Sequence, residues 1–100
     1  MASLRNPHPG EILKEEFLAE IGLSQNQLAH ALGVPGNRIH AIVNGTRDIT
    51  ADTDLRLCKF FRLSEGYFQR LQIAYDTLEA KRRIAGEVAK IKPYQPGKAA

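Results

Sequence analysis

The 100-residue chain has little of what exported and membrane proteins need. It contains one cysteine, Cys58, which cannot form an internal disulfide, so a reduced, cytoplasmic protein is expected. Its first ten residues, MASLRNPHPG, include no apolar run like the core of a signal peptide. No segment is apolar over the length that spans a bilayer. These absences argue against export and against a membrane partner.

Metal-binding and catalytic signatures are also missing. The three histidines and the cysteine do not stand at a metal-ligand spacing, and neither HExxH nor a pair of CxxC motifs occurs. The acidic residues Glu11, Glu15 and Glu16 are typical of an exposed helical face rather than of an acid–base pair. We therefore expect no enzyme, no metal site and no cofactor.

The sequence also lacks alternating stretches long enough for a strand, while its apolar residues recur at helical spacing. One hundred residues with 43% hydrophobic content suit a single domain, so the predicted class is all-α with five short helices. The expected organisation is a flexible N-terminus (1–7), a helix-turn-helix DNA-binding domain (8–76), a C-terminal helical extension (77–92) and a disordered tail (93–100).

Helix ends are predicted from proline, glycine and hydroxyl residues. Pro9 suits a first helical position, Ser24, Thr50 and Ser64 suit N-caps, and Gly22 and Gly33 suit helix stops. The first helix is expected to turn Ile12, Leu13, Phe17 and Ile21 to the interior, and the fourth Leu55 and Cys58.

Positive charge is unevenly distributed along the chain. The net charge is +3, yet residues 1–50 carry four basic residues against five acidic ones, so the excess lies in the C-terminal half. Much of it falls in one late run (Lys81, Arg82, Arg83, Lys90, Lys92 and Lys98). Two interpretations stay open: a solvated helix end and tail, or a surface for nonspecific DNA contact or for a protein partner.

The stretch LGVPGNRIHAIVNG, residues 32–45, predicts the second half of a helix-turn-helix. A capped helix precedes it and ends at Gly33, and a helix beginning with Pro35 follows after Val34. At about 100° per residue, the apolar residues of this third helix share one side. Asn37 and Ala41 then point away from the interior, with Arg38 and His40 on the two shoulders.

The outward residues suit the edges of DNA bases. Asn pairs with adenine, Arg forks onto guanine, an alanine methyl group packs against thymine, and a glycine lets the backbone approach closely. The predicted base-reading set is Gly36, Asn37, Arg38, His40 and Ala41. Arg38 could equally reach a phosphate. The predicted DNA-backbone set is Gln25, Gln27, Thr46 and Arg47.

Four segments in order resemble a known family over roughly residues 8–83: HPGEILKEEFL (8–18), GLSQNQLAHALGV (22–34), RIHAIVNGTRDIT (38–50) and LQIAYD (71–76). They look like the HigA or VapI type of antitoxin in the XRE (lambda-repressor-like) helix-turn-helix family. The resemblance implies a five-helix domain that forms a homodimer, binds double-stranded DNA at a palindromic operator and represses its own operon. It also implies neutralisation of a HigB-like, mRNA-cleaving toxin of RelE-like fold.

The family contacts base edges from the start of its third helix, which maps onto Gly36, Asn37, Arg38, His40 and Ala41, and backbone contacts map onto Gln25, Gln27 and Arg47. The chain departs from the family pattern at several positions, with Pro35 and Gly36 at the third helix, Asp54 and Cys58 where small apolar residues are common, and GYF at 66–68. The alternatives are a stand-alone regulator of this family with no toxin partner, and an inhibitor that mainly occludes a toxin.

Overall fold

A computed structural model of the chain describes residues 4–97. Within that range the regular structure is entirely helical, in five helices, which confirms the predicted class. The first, α1, is continuous from Pro9–Ile12 (α) through Leu13–Leu18 (π) to Ala19–Ile21 (α). The others are α2 (Gln25–Leu32), α3 (Gly36–Val43), α4 (Ala51–Phe61) and α5 (Tyr67–Ala89). None of these helices is both long and apolar enough to cross a membrane.

Local capping sets most of the helix ends. Ser24 caps α2 through a reciprocal pair of bonds with Gln27, 3.0 Å to the Gln27 N–H and 2.8 Å from its own N–H to Gln27 Oε1. Gly22 and Gly33 end α1 and α2 in left-handed conformations, with φ of 67° and 72°. Thr50 caps α4. These ends agree with the sequence prediction.

The π segment changes which residues α1 buries. The Ala19 N–H bonds to the Lys14 carbonyl, five residues back, so the helix is wider here than the 3.6-residue period assumes. Leu13 and Leu18 are buried, whereas Ile21 is 57% exposed. The expectation that Ile21 faces the interior was therefore wrong, because the extra residue per turn shifts the inner face.

A buried carboxylate, that of Asp54, explains two differences from the prediction: where α5 begins and which residues α4 buries. Asp54 of α4 accepts bonds from the N–H groups of Gly66 (2.7 Å), Phe68 (2.8 Å) and Gln69 (3.1 Å). It is thus the cap of α5, which begins at Tyr67 rather than beside the predicted cap Ser64. Turning Asp54 inward leaves Leu55 48% exposed, contrary to expectation.

All five helices and Ile49 contribute side chains to one core. Its largest fully buried side chains include Leu13, Leu28, Ile39, Leu57 and Phe68. Aromatic rings extend the core on one side. The centroid of the Phe17 ring lies 4.9 Å from that of the Phe61 ring and 5.2 Å from that of the Phe68 ring. Burial of these apolar surfaces is the main favourable contribution to folding.

The first turn of α1 packs directly against the backbone of α3. A Cβ added to Gly10 would lie 1.7 Å from the Ile42 carbonyl oxygen and 2.5 Å from its carbon. No residue with a side chain fits at that separation, so glycine permits the contact. The start of α1 therefore sets the position of α3.

Two glutamines of α5 hold the segment that follows α3. Gln72 Oε1 accepts the Ile49 N–H at 2.8 Å, and Gln69 Nε2 donates to the Ile49 carbonyl at 2.5 Å. Ile49 is buried, and these bonds satisfy both of its backbone polar groups. The loop between α3 and α4 is thereby fixed to the longest helix.

The N-terminal end of the described chain lies against α5. Asn6, which belongs to the segment 1–7 predicted to be flexible, donates from Nδ2 to the Tyr75 carbonyl at 3.0 Å and to Glu79 at 3.1 Å. The helix α5 continues through residue 76, where the predicted DNA-binding domain ends, and its backbone departs from helical geometry at Ile84 (φ −115°, ψ 19°).

Candidate nucleic-acid interface

The third helix has an apolar inner side and a polar outer side. Ile39 and Ile42 are fully buried, Asn37 and His40 are exposed, and Ala41 is half-buried. Pro35 is the N-cap, with φ −62° and ψ 146°, so the helix begins one residue later than the sequence indicated. The predicted outward direction of Asn37 is thus present in the structure.

Gly36 lies beside α2. A Cβ at this position would be 3.0 Å from Asn26 Oδ1 and 3.9 Å from the His40 ring. A side chain here would push against the first turn of α2. Within the chain itself, Gly36 therefore lets α3 lie close to Asn26 of α2.

His40 ties the third helix to the start of the second. Its Nδ1 lies 2.6 Å from Gln25 Oε1 and its Nε2 lies 3.0 Å from Asn26 Oδ1. Two residues predicted to touch DNA separately, His40 and Gln25, are thus joined to each other. Asn26, which the sequence analysis did not assign, completes the contact.

Arg38 forms an ion pair with the start of the fourth helix. Its Nη1 donates to Asp52 Oδ1 at 2.9 Å, and Arg56 Nε donates to the same oxygen at 2.8 Å. The bonds from Arg56 and then from Arg38 hold the pKa of the Asp52 carboxyl below its usual range. The Arg38 side chain is 23% exposed, so it lies along the protein rather than extending into solvent.

The loop after α3 presents the last two predicted contacts. The N–H and the Oγ1 of Thr46 both donate to the Ala41 carbonyl, at 2.9 and 3.2 Å, and Gly45 has a φ of 80°. Thr46 and Arg47 are exposed. Thr46 therefore closes the C-terminal end of α3 and places Arg47 just beyond it.

Most of the predicted residues fall on one surface. The first turn of α2 meets α3 through His40, and the loop holding Arg47 meets it through Ala41. Gln27 lies on the same turn of α2, with its Oε1 used in the cap and its Nε2 left to donate. Asp52 and Arg56 belong beside this surface although the sequence did not indicate them, since they lie 14 and 18 residues from Arg38.

The chain has the architecture of a helix-turn-helix protein. A capped helix is followed by a short turn and by a second helix with a buried inner side and a polar outer side, and three further helices pack around this pair. A family model described as helix-turn-helix matches residues 13–68. The chain belongs to this helix-turn-helix family, and its similarity to HigA proteins of two bacteria places it in the HigA family. The sequence resemblance is confirmed.

Three relatives support this assignment. Virulence-associated protein I of Dichelobacter nodosus is 51% identical over 69 residues, which are 69% of this chain and 64% of that protein, so the match spans less than two thirds of the relative. A HigA-family addiction module antidote protein from Coxiella burnetii has a TM-score of 0.85 and 46% identity, covering 91% of this chain and all of that one. Pseudomonas aeruginosa antitoxin HigA, solved with the higBA promoter, has a TM-score of 0.86 and 36% identity over 91% of this chain and all of that one.

Proposed function

We propose that the chain is a sequence-specific transcriptional repressor of antitoxin type. As a homodimer in the cytoplasm it binds a palindromic operator through α3, represses its own operon, and neutralises a HigB-like, mRNA-cleaving toxin by direct binding. It acts by binding alone, with no catalytic group. The observation that carries the proposal is the exposed outer side of α3 in a chain 36% identical to an antitoxin solved with promoter DNA.

The dimensions of α3 suit the major groove. A two-turn helix fits the groove, which is about 12 Å wide, and its N-terminal residues are those nearest the base edges. Asn37 stands in the first turn, where its amide is exposed and able to pair with N6 and N7 of adenine. Two copies of α3 about 34–36 Å apart would read the two halves of a palindrome.

Groups able to bind DNA phosphates lie on both sides of α3. The first turn of α2 has backbone N–H groups without intrahelical partners, which favour an anion, and the Gln27 amide lies there. Arg47 follows α3 on the other side and is exposed. These groups would fix the register of the protein on the duplex while α3 reads the sequence.

The proposal is tested by titrating a labelled duplex from the region upstream of the gene, and a shuffled duplex of equal length, at matched salt. Fluorescence anisotropy should give an affinity about 1,000-fold or more in favour of the upstream duplex. Equal affinities would refute the repressor, because phosphate contacts alone bind all sequences alike. A small basic reading frame beside the gene, whose product copurifies with the chain, would support the antitoxin role over a stand-alone regulator.

Asn37→Ala should lower affinity for the operator by about 1–3 kcal/mol, the contribution of one bidentate base contact. Affinity for shuffled DNA should stay the same, because Asn37 carries no charge that a phosphate would attract. Anisotropy titrations of both duplexes measure this difference. A variant that weakens both duplexes equally would show that Asn37 contacts the backbone instead.

Arg47→Ala should weaken binding to every duplex by a similar factor. Loss of one phosphate contact should also reduce the slope of log K against log salt by about one. The measurement is a titration series at several salt concentrations. Arg70→Ala removes the same charge from α5 and should leave the slope unchanged; an Arg47→Ala slope equal to the wild-type slope would remove Arg47 from the interface.

A further inference from the structure

We propose that Asp52 determines DNA specificity by holding Arg38 in the orientation that reads a base. The inference rests on the proposed DNA-binding function. Asp52 lies in the first turn of α4, outside the helix-turn-helix itself, and its Oδ1 accepts Arg38 Nη1 at 2.9 Å. It is a positioning residue, because it acts on DNA through Arg38.

The ion pair removes freedom that Arg38 would otherwise lose on binding DNA. An arginine side chain has many rotamers, and ordering it opposes binding. The bond to Asp52, made within the chain itself, restricts the Arg38 side chain, which is 23% exposed. Because the protein's own contacts supply this ordering, the base contact retains a larger share of its interaction free energy.

The pairing leaves donors for a base. A guanidinium carries five N–H groups, and the bond to Asp52 uses Nη1. The edge formed by Nε and Nη2 still offers the two donors that a fork onto guanine O6 and N7 requires. Arg38 can therefore keep Asp52 and bind a base at the same time.

Arg56 braces the carboxylate from the other side. Its Nε donates to Asp52 Oδ1 at 2.8 Å, while its Nη1 donates to the Leu32 carbonyl at the end of α2, also at 2.8 Å. The carboxylate is thereby fixed to both α4 and α2. With two guanidinium groups on one carboxylate, the cluster has a net positive charge, which offsets the repulsion between Asp52 and phosphates.

The opposite role for Asp52 would be competition, in which it withholds Arg38 from DNA. The two roles predict opposite signs. If Asp52 positions Arg38, then Asp52→Asn should lower the affinity for the operator by about fivefold or more, which is the lower limit for one bidentate contact. The affinity for shuffled DNA should stay equal or increase. If Asp52 competes, the same variant should tighten binding to the operator.

The experiment measures dissociation constants of the full chain for the operator, for shuffled DNA and for operators with one base pair changed, at matched salt. Asp52→Asn should lower the operator-to-shuffled ratio and relax the preference at the same base pair that Arg38→Ala relaxes. In the Arg38→Ala background, Asp52→Asn should not change the ratio further. Asp48→Asn, the same charge change in the loop after α3, should affect both duplexes alike.

The results distinguish failure of the Asp52 inference from failure of the proposed DNA-binding function. If the wild type does not distinguish the operator from shuffled DNA, the proposed function fails and Asp52 has no specificity to determine. If the wild type distinguishes them and Asp52→Asn does so equally well, or binds the operator more tightly, the inference alone is overturned. A loss of stability in Asp52→Asn would lower both affinities by the same factor and cancel in the ratio, so an unchanged ratio at a temperature where this variant is folded overturns the inference.

Discussion

Gly10→Ala should destabilise the protein by about 3 kcal/mol or more, at or above the usual range for overpacking. The new Cβ would meet the Ile42 carbonyl oxygen at 1.7 Å, its carbon at 2.5 Å and the Val43 Cα at 3.0 Å. All three are backbone atoms, so no side-chain rotamer relieves the clash. The first turn of α1 and the end of α3 must move apart, which displaces the DNA-reading helix.

The free energy of unfolding, from urea titrations followed by circular dichroism at equal protein concentration, measures this effect. The matched control is Gly86→Ala, also inside a helix, where nothing lies within 4 Å of the added Cβ. That variant should gain about 0.5–1 kcal/mol, because alanine loses less backbone entropy in a helix. A Gly10→Ala protein as stable as the wild type would mean that α1 does not touch α3 in this way.

Features encoded by neighbouring residues were predictable from the sequence. The cap at Ser24 depends on Gln27, three residues away, and the stops at Gly22 and Gly33 depend on one residue each. The outward direction of Asn37 follows from helical geometry alone. These short-range rules were sufficient for the fold class and for the location of the candidate interface.

Features that depend on distant partners were not predictable. The bond from Arg38 to Asp52 crosses 14 residues and joins two helices, and nothing in either local pattern indicates it. Gly10 is the contact point for α3, and no local pattern in the sequence distinguishes it. The π segment in α1 moved the inner face away from Ile21, because a 3.6-residue period has no means of anticipating a wider turn.

In the candidate site, too, local features were predictable from the sequence and contacts between distant residues were not. The sequence placed His40 and Gln25 in separate roles, whereas the structure joins them at 2.6 Å. It also treated Arg38 as free to reach a base or a phosphate, while the structure restrains it with Asp52. Residue type and helical position thus indicate which side chains face outward, and only the packing of helices indicates which of them hold one another.

Asp54→Ala should cost about 3 kcal/mol or more, the second large effect. Asp54 is 2% exposed, and its carboxylate accepts the N–H groups of Gly66, Phe68 and Gln69. Alanine would leave these donors without their acceptor at the start of α5, and an unpaired buried N–H costs about 1–3 kcal/mol. Since Gln69 and Gln72 of α5 also hold the loop after α3, loosening α5 should reduce affinity for the operator as well.

Asp54→Asn separates the two oxygens. Its remaining oxygen can still accept from Phe68 and Gln69, but an amide NH2 in place of Oδ2 would oppose the Gly66 N–H, donor against donor. Its loss of stability should therefore fall between those of the wild type and Asp54→Ala. The control Glu65→Ala changes an exposed residue beside Gly66 and should stay within about 0.5 kcal/mol of the wild type. If urea titrations placed Asp54→Ala with that control, the capping of α5 from α4 would contribute nothing, and the start of α5 would have to be held by its own loop.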